Sequence, residues 1–192
     1  MRTETVEYRH GDVVLEGYMA YDDAVQGKRP GVLVVHEWFG QTDYERRRAE
    51  QLARLGYVAF ALDMYGKGVR AKDNKEAGAL AGIYMGNREL MRSRAGAGLE
   101  VLRKRPEVDP KRLAAIGYCF GGTTVLEMAR GGADLAGVAS FHGGLKTPVP
   151  GDAKNIRGKV LVLHGGDDPL VPPDEVLAFQ DEMRKGGVDW QF

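Results

Sequence analysis

The apolar run Leu113 to Ile116 passes without a break into Gly117-Tyr118-Cys119-Phe120-Gly121-Gly122, and a helical stretch, Thr123 to Ala129, follows at once. A strand that turns directly into a helix holds the residue at its apex in a strained conformation. The positions two before and two after must be small for strand and helix to approach. Gly117 and Gly121 meet that need around Cys119. The turn places the sulfur near the positive end of the following helix, where a thiol is expected to titrate below the free-cysteine value of about 8.5. The backbone N–H of Phe120 would then form half of an oxyanion hole. A lone core cysteine is more often inert filler, but this glycine frame and strand–helix context favour a nucleophile. A phosphate-binding loop is excluded, because Thr123 stands where its lysine would follow Gly122.

The rest of the chain supplies a sheet for such a turn. Thr3 to Tyr8 and Val13 to Tyr21 read as antiparallel strands joined at Gly11-Asp12. Short apolar runs then alternate with helical stretches, the pattern of a parallel sheet with crossover helices on both faces. Val32 to Val35, Tyr57 to Leu62, Leu135 to Phe141 and Val160 to Leu163 are the other strands. A helix capped by Thr42 or Asp43 puts Ala49, Leu52, Ala53 and Leu55 on one face and ends at Gly56, with Arg46-Arg47-Arg48 on its wet side. Leu90 to Leu102 and Asp174 to Met183 are further helices. Tyr65 to about Ala77 reads as the longest irregular stretch, either a rim for a substrate site or a solvated connection.

Composition bounds the function. The 192 residues fit one domain, 1–192, with a core that needs no disulfide. Lys+Arg and Asp+Glu balance at 27 each, so no net field draws nucleic acid or an anionic membrane. Neither a signal-peptide core nor a membrane-length apolar run occurs, and the single cysteine rules out a Cys-x-x-Cys metal or redox pair. A cytoplasmic protein, monomeric or weakly dimeric, with no metal and no cofactor is expected.

A thiol nucleophile needs a base, and the base a carboxylate to orient it. Val160 to Leu163 ends in His164-Gly165-Gly166-Asp167-Asp168-Pro169, which places a carboxylate on the edge where open α/β sheets keep their sites. Asp-Asp-Pro is equally good turn chemistry, and spacing alone leaves the two readings even. After Val32 to Val35 comes His36-Glu37-Trp38-Phe39-Gly40. The N–H of Trp38 is a candidate second oxyanion donor. Glu37 is either a solvated loop residue or a carboxylate able to hold the thiol's proton.

An HE-W-x-G loop, a G-x-C-x-G-G elbow and a GGxD-x-x-VP segment, in that order, resemble the dienelactone hydrolase family, as does Met64-Tyr65-Gly66-Lys67-Gly68. The resemblance covers nearly the whole chain. It implies an α/β-hydrolase fold and a carboxymethylenebutenolidase-like hydrolase of a small ester or lactone with a Cys-Asp-His triad. Cys119 matches the nucleophile, Asp168 the triad acid, and Glu37 a glutamate that bonds the resting thiol and helps deprotonate it. Tyr84 matches a substrate-site tyrosine. Leu80 and Asn87 fall where the family has an arginine and a tryptophan, which favours a substrate other than dienelactone itself.

The family's histidine lies beyond the acid, and no residue of this chain matches it. His10 is expected at a solvated turn, and His36 and His164 in structural hydrogen bonds. His142 ends a strand between elbow and acid, where it could line the site. Val188, Trp190 and Phe192 alternate like the opening of another strand, and the remainder of that strand, a histidine loop and a final helix to cover this face are expected to be missing. Activity should then be impaired. Two rivals stand beside the hydrolase: a glutamine-amidotransferase-like or redox-sensing cysteine protein, and a non-catalytic binding protein on the same scaffold.

Overall fold

The computed structural model describes all 192 residues. Strict alternation at the start becomes a hairpin of β1 (Arg2–His10) and β2 (Val13–Tyr21), turned by Gly11 at φ 58°. The apolar runs become β3 (Arg29–Val35), β4 (Val58–Ala61), β5 (Val108–Tyr118), β6 (Gly137–Phe141) and β7 (Lys159–Leu163), followed by a two-residue β8 (Trp190–Gln191). Their order is β1-β2-β4-β3-β5-β6-β7-β8. All pairs from β4 to β8 are parallel, and β2 meets β4 antiparallel. The chain leaves β3 for one side and returns to its other side as β5. That reversal opens a crevice at the strands' C-terminal ends.

Five helices flank the sheet: α1 (Asp43–Arg54), α2 (Asn74–Met85), α3 (Arg88–Arg103), α4 (Phe120–Arg130) and α5 (Pro173–Lys185). Side chains of β3 point alternately to opposite faces. Val34 meets Ala49 and Ala53 of α1, whereas Leu33 and Val35 join the larger core with Leu99 of α3 and Leu126 of α4. Helices therefore cover both faces, as expected.

Several local readings are corrected. Leu55 lies at the C-cap of α1 and is 74% exposed, because the helix ends before it can turn inward. Arg46 and Arg48 lie over the rings of Tyr18 and Tyr44 instead of standing free in water. The irregular stretch ends at Asp73, which caps α2 by accepting from the Glu76 N–H. Only Ala77, Ala81 and Tyr84 of α2 are buried, too faint a stripe to register against its glycines. The strand expected at Val188 to Phe192 forms over Trp190–Gln191 as β8. Trp190 and Phe192 pack on Phe179 of α5, so this face has its helix. The thinner cover lies on the opposite side, where Leu161 and Leu163 are 39% and 41% exposed. No helix is long and apolar enough to cross a membrane.

A buried ionic knot fixes the segment after β6. Arg130, with no exposed surface, donates to both carboxylate oxygens of Glu182 at 2.8 and 2.7 Å, to Glu127 at 3.0 Å and to the Leu145 carbonyl at 2.8 Å. Arg92 adds bonds to Glu127 and Asp152. The Glu175 carboxylate accepts the Leu145 and Lys146 amides at 2.7 and 2.8 Å. Removing one member would leave its partner charges buried and unpaired, a loss of about 3–5 kcal/mol.

Candidate active site

Cys119 sits at φ 54°, ψ −115°, a conformation that costs an L residue on the order of 1–3 kcal/mol. The chain can hold it because β5, β3 and α4 converge with no room to relax. A Cβ on Gly117 would collide with the Gly121 carbonyl, and one on Gly121 with the carbonyls of Val35 and His36. On the other flank, a Cβ on Gly143 would come within 2.6 Å of the Gly122 backbone. The Cys119 N–H donates to the Phe141 carbonyl at 2.9 Å, which ties the elbow to the end of β6. The next residue there, His142, is the only other non-glycine with positive φ, at 42°. The two strained side chains thus stand on adjacent strand ends.

The thiol is half-buried, and its pKa is raised. Burial is the largest cause; the Phe120 N–H works against it, and the charges of Glu37 and Asp168 push the same way as burial. This corrects the expectation of a thiol activated at rest: the field at the helix N-terminus is outweighed by desolvation and two carboxylates. The same fact brings Cys119, Glu37 and Asp168 into one field. Glu37 makes no hydrogen bond to the sulfur, and its charge favours the protonated thiol. Glu37→Gln is accordingly expected to shift the inflection of Cys119 alkylation by iodoacetamide to lower pH. An unchanged or upward-shifted profile would show that the charge does not act on the sulfur.

The loop after β3 is held by its carbonyls. His36 is fully buried; its Nε2 accepts the Met64 N–H at 3.1 Å, so its proton resides on Nδ1 and is donated to the Glu37 carbonyl at 2.5 Å. Burial keeps this imidazole's pKa low. The Trp38 carbonyl accepts from the Tyr65 hydroxyl at 2.9 Å, and the Phe39 carbonyl from the Ala71 N–H at 3.0 Å. The irregular stretch from Tyr65 is thereby laid along the loop. With these carbonyls engaged, the Trp38 N–H is left without a protein acceptor, free for a substrate oxygen. Across the crevice, Asp168 is half-buried in the turn after β7, with Oδ1 accepting the Leu170 N–H at 2.9 Å, while Asp167 is exposed.

Comparison with known proteins identifies the family and the fold. The model of the dienelactone hydrolase family matches residues 15–192. The chain belongs to the dienelactone hydrolase family. A solved structure named m3DLH is 44% identical, with a TM-score of 0.96 over 100% of this chain and 80% of its own. A dienelactone hydrolase-like promiscuous phosphotriesterase, P91, from metagenomic libraries is 43% identical, with a TM-score of 0.93 over 99% of this chain and 79% of its own. Protein usf of Aquifex pyrophilus is 30% identical over 97% of this chain and 80% of its own length. The fold is therefore the α/β-hydrolase fold, and the chain is a dienelactone hydrolase-like hydrolase. The amidotransferase-like reading falls with that assignment.

Not every residue carried over from the dienelactone hydrolase pattern faces the crevice. Tyr84 is 4% exposed, its hydroxyl donates to the Met64 carbonyl and receives Arg94 at 3.2 Å, and its ring packs on Tyr65 and Phe120. It supports the elbow from behind and has no hydroxyl to offer a substrate. Asn87 caps α3 by accepting the Leu90 N–H at 3.0 Å, and Leu80 packs against the core. His10 is not simply solvated, since Arg94 donates to its Nδ1 at 3.0 Å. His164 lacks the expected hydrogen bond: its Nδ1 is buried without a partner, and its ring lies 5.5 Å from that of Phe192. His142 is exposed at the edge of the crevice.

Two supporting residues escaped the sequence reading. Fully buried Asp63 accepts the Glu16, Tyr65 and Gly66 amides at 3.1, 2.9 and 3.1 Å, and Arg94 binds the Met64 carbonyl at 2.9 Å. Together they hold Met64–Gly66 beneath the loop after β3. A carboxylate placed directly after the apolar run Val58 to Leu62 was the available signal.

Proposed function

We propose that this protein hydrolyses small esters or lactones by acyl transfer through Cys119. The observation that carries the reading is the strained Cys119, in the field of Glu37 and Asp168 and beside the Phe120 N–H. The sulfur attacks the carbonyl carbon, and the oxyanion is held by the N–H groups of Trp38 and Phe120. The alcohol leaves protonated, and water cleaves the thioester. Asp168 serves as the carboxylate that orients the triad's imidazole. We assign that imidazole to none of the four histidines: His36 has both ring nitrogens engaged, His10 is tied to Arg94 and His164 lies against Phe192, while His142, exposed at the crevice edge, is assigned to substrate contact. Turnover without an added base is accordingly slow. The kinship to P91 adds phosphotriesters as a side substrate class.

The test follows p-nitrophenyl acetate cleavage together with the protein mass. An acetyl adduct on Cys119 with slow steady turnover is the expected result. An adduct that never turns over would favour the non-catalytic binding protein, and no adduct at all would end the nucleophile assignment. If His142→Ala abolished the turnover, His142 would be the base.

A further inference from the structure

The first residue of β3, at the end of the sheet opposite Cys119, is a buried cation with no carboxylate partner. Arg29 is 6% exposed. Its Nη1 donates to the Asp22 carbonyl at 2.6 Å, its Nε is buried with no hydrogen-bond partner, and its Nη2 makes no hydrogen bond. Buried guanidinium groups are normally satisfied by paired carboxylates or a set of acceptors, and a single carbonyl is a poor substitute.

Arg29 lines a cavity of about 360 Å³ with Arg2, Tyr21, Asp23, Lys28 and Glu107. The charges around it do not cancel. Asp23 pairs with the Met1 amine at 3.2 Å and feels Arg2 only weakly; Glu107 pairs with Arg105 at 3.3 Å. Arg2, Lys28 and Arg29 form no ion pair within the protein. The Tyr21 ring carries the guanidiniums of Arg29 and Arg105 at 5.6 and 5.8 Å, and its hydroxyl makes no hydrogen bond in the protein.

We propose that this cavity binds a small phosphate-bearing molecule. Three unpaired cations and a free phenolic donor suit a dianion with three acceptor oxygens better than a carboxylate, and a guanidinium fork matches phosphate geometry. The seven residues of β3 put the cavity about 20 Å from the oxyanion loop. The site is thus separate from the ester chemistry and does not depend on it.

Thermal melts with inorganic phosphate, against sodium acetate and sodium chloride at equal ionic strength, test the proposal, since a ligand of the native state raises Tm saturably. Phosphate should raise Tm where the other salts do not, and equally in Cys119→Ala. The double variant R2Q/K28Q changes two exposed side chains. It should keep its Tm without phosphate while the half-saturating phosphate concentration rises about tenfold, the weight of roughly one charge-assisted hydrogen bond. Equal stabilisation by acetate or chloride would overturn the proposal, as would an unchanged half-saturation in R2Q/K28Q.

Discussion

Cys119→Ala is expected to abolish the acetyl adduct and to lower kcat/KM for p-nitrophenyl acetate by about tenfold or more, a smaller fall than in a complete triad because nucleophile and base act as a unit. Cys119→Ser should fall nearly as far. The elbow already disfavours the anion of a thiol, through burial and the fields of Glu37 and Asp168. A serine hydroxyl ionises far less readily and would need a stronger base than this site supplies. For the same reason, turnover by the unaltered protein should increase with pH as the thiol ionises, with its midpoint above that of free cysteine. Steady-state rates between pH 6 and 10 check both expectations. A serine variant that keeps most of the activity would place the nucleophile elsewhere.

The second large effect is rescue by free imidazole. A base contributes on the order of 10²–10⁴-fold in such reactions. Imidazole at tens of millimolar should therefore restore turnover by about tenfold or more. The rate must be taken over that of Cys119→Ala, because imidazole itself cleaves activated esters. Rescue should depend on the carboxylate that orients the ring. Asp168→Asn should remove most of it, and Asp167→Asn almost none, since Asp168 acts on the sulfur and Asp167 points into solvent. The reverse ranking would move the triad acid to Asp167. Absence of rescue in the unaltered protein would mean that Cys119 finds its base within the chain.

The parts of the site that local sterics determine could be read from sequence. Gly117 and Gly121 around Cys119 announce a strand–helix turn because no other spacing lets the two elements approach, and the apolar runs marked the centre of each parallel strand, although β5 begins at Val108, five residues before its run. What depends on fields and contacts between distant segments could not be read. The direction of the thiol's shift is decided by burial and by carboxylates on the loops after β3 and β7. Tyr84 matched a motif, but only packing against Phe120 and the Met64 carbonyl reveals its supporting role. The strand at Trp190 was visible, whereas its cover by Phe179 required knowing where α5 lies.

The glycine socket around Cys119 divides the protein for anyone who would alter it. Side chains at 117, 121 and 143 would drive into backbone, so a mutagenesis library that samples these positions spends its members on unfolded chains. Diversity belongs instead at loop positions around the crevice that carry none of the chemistry: 65–73, 144–149 and 169–172. New substrate preferences can arise there without touching the turn that holds the sulfur. A lineage built on this frame can therefore change what it cleaves faster than how it cleaves.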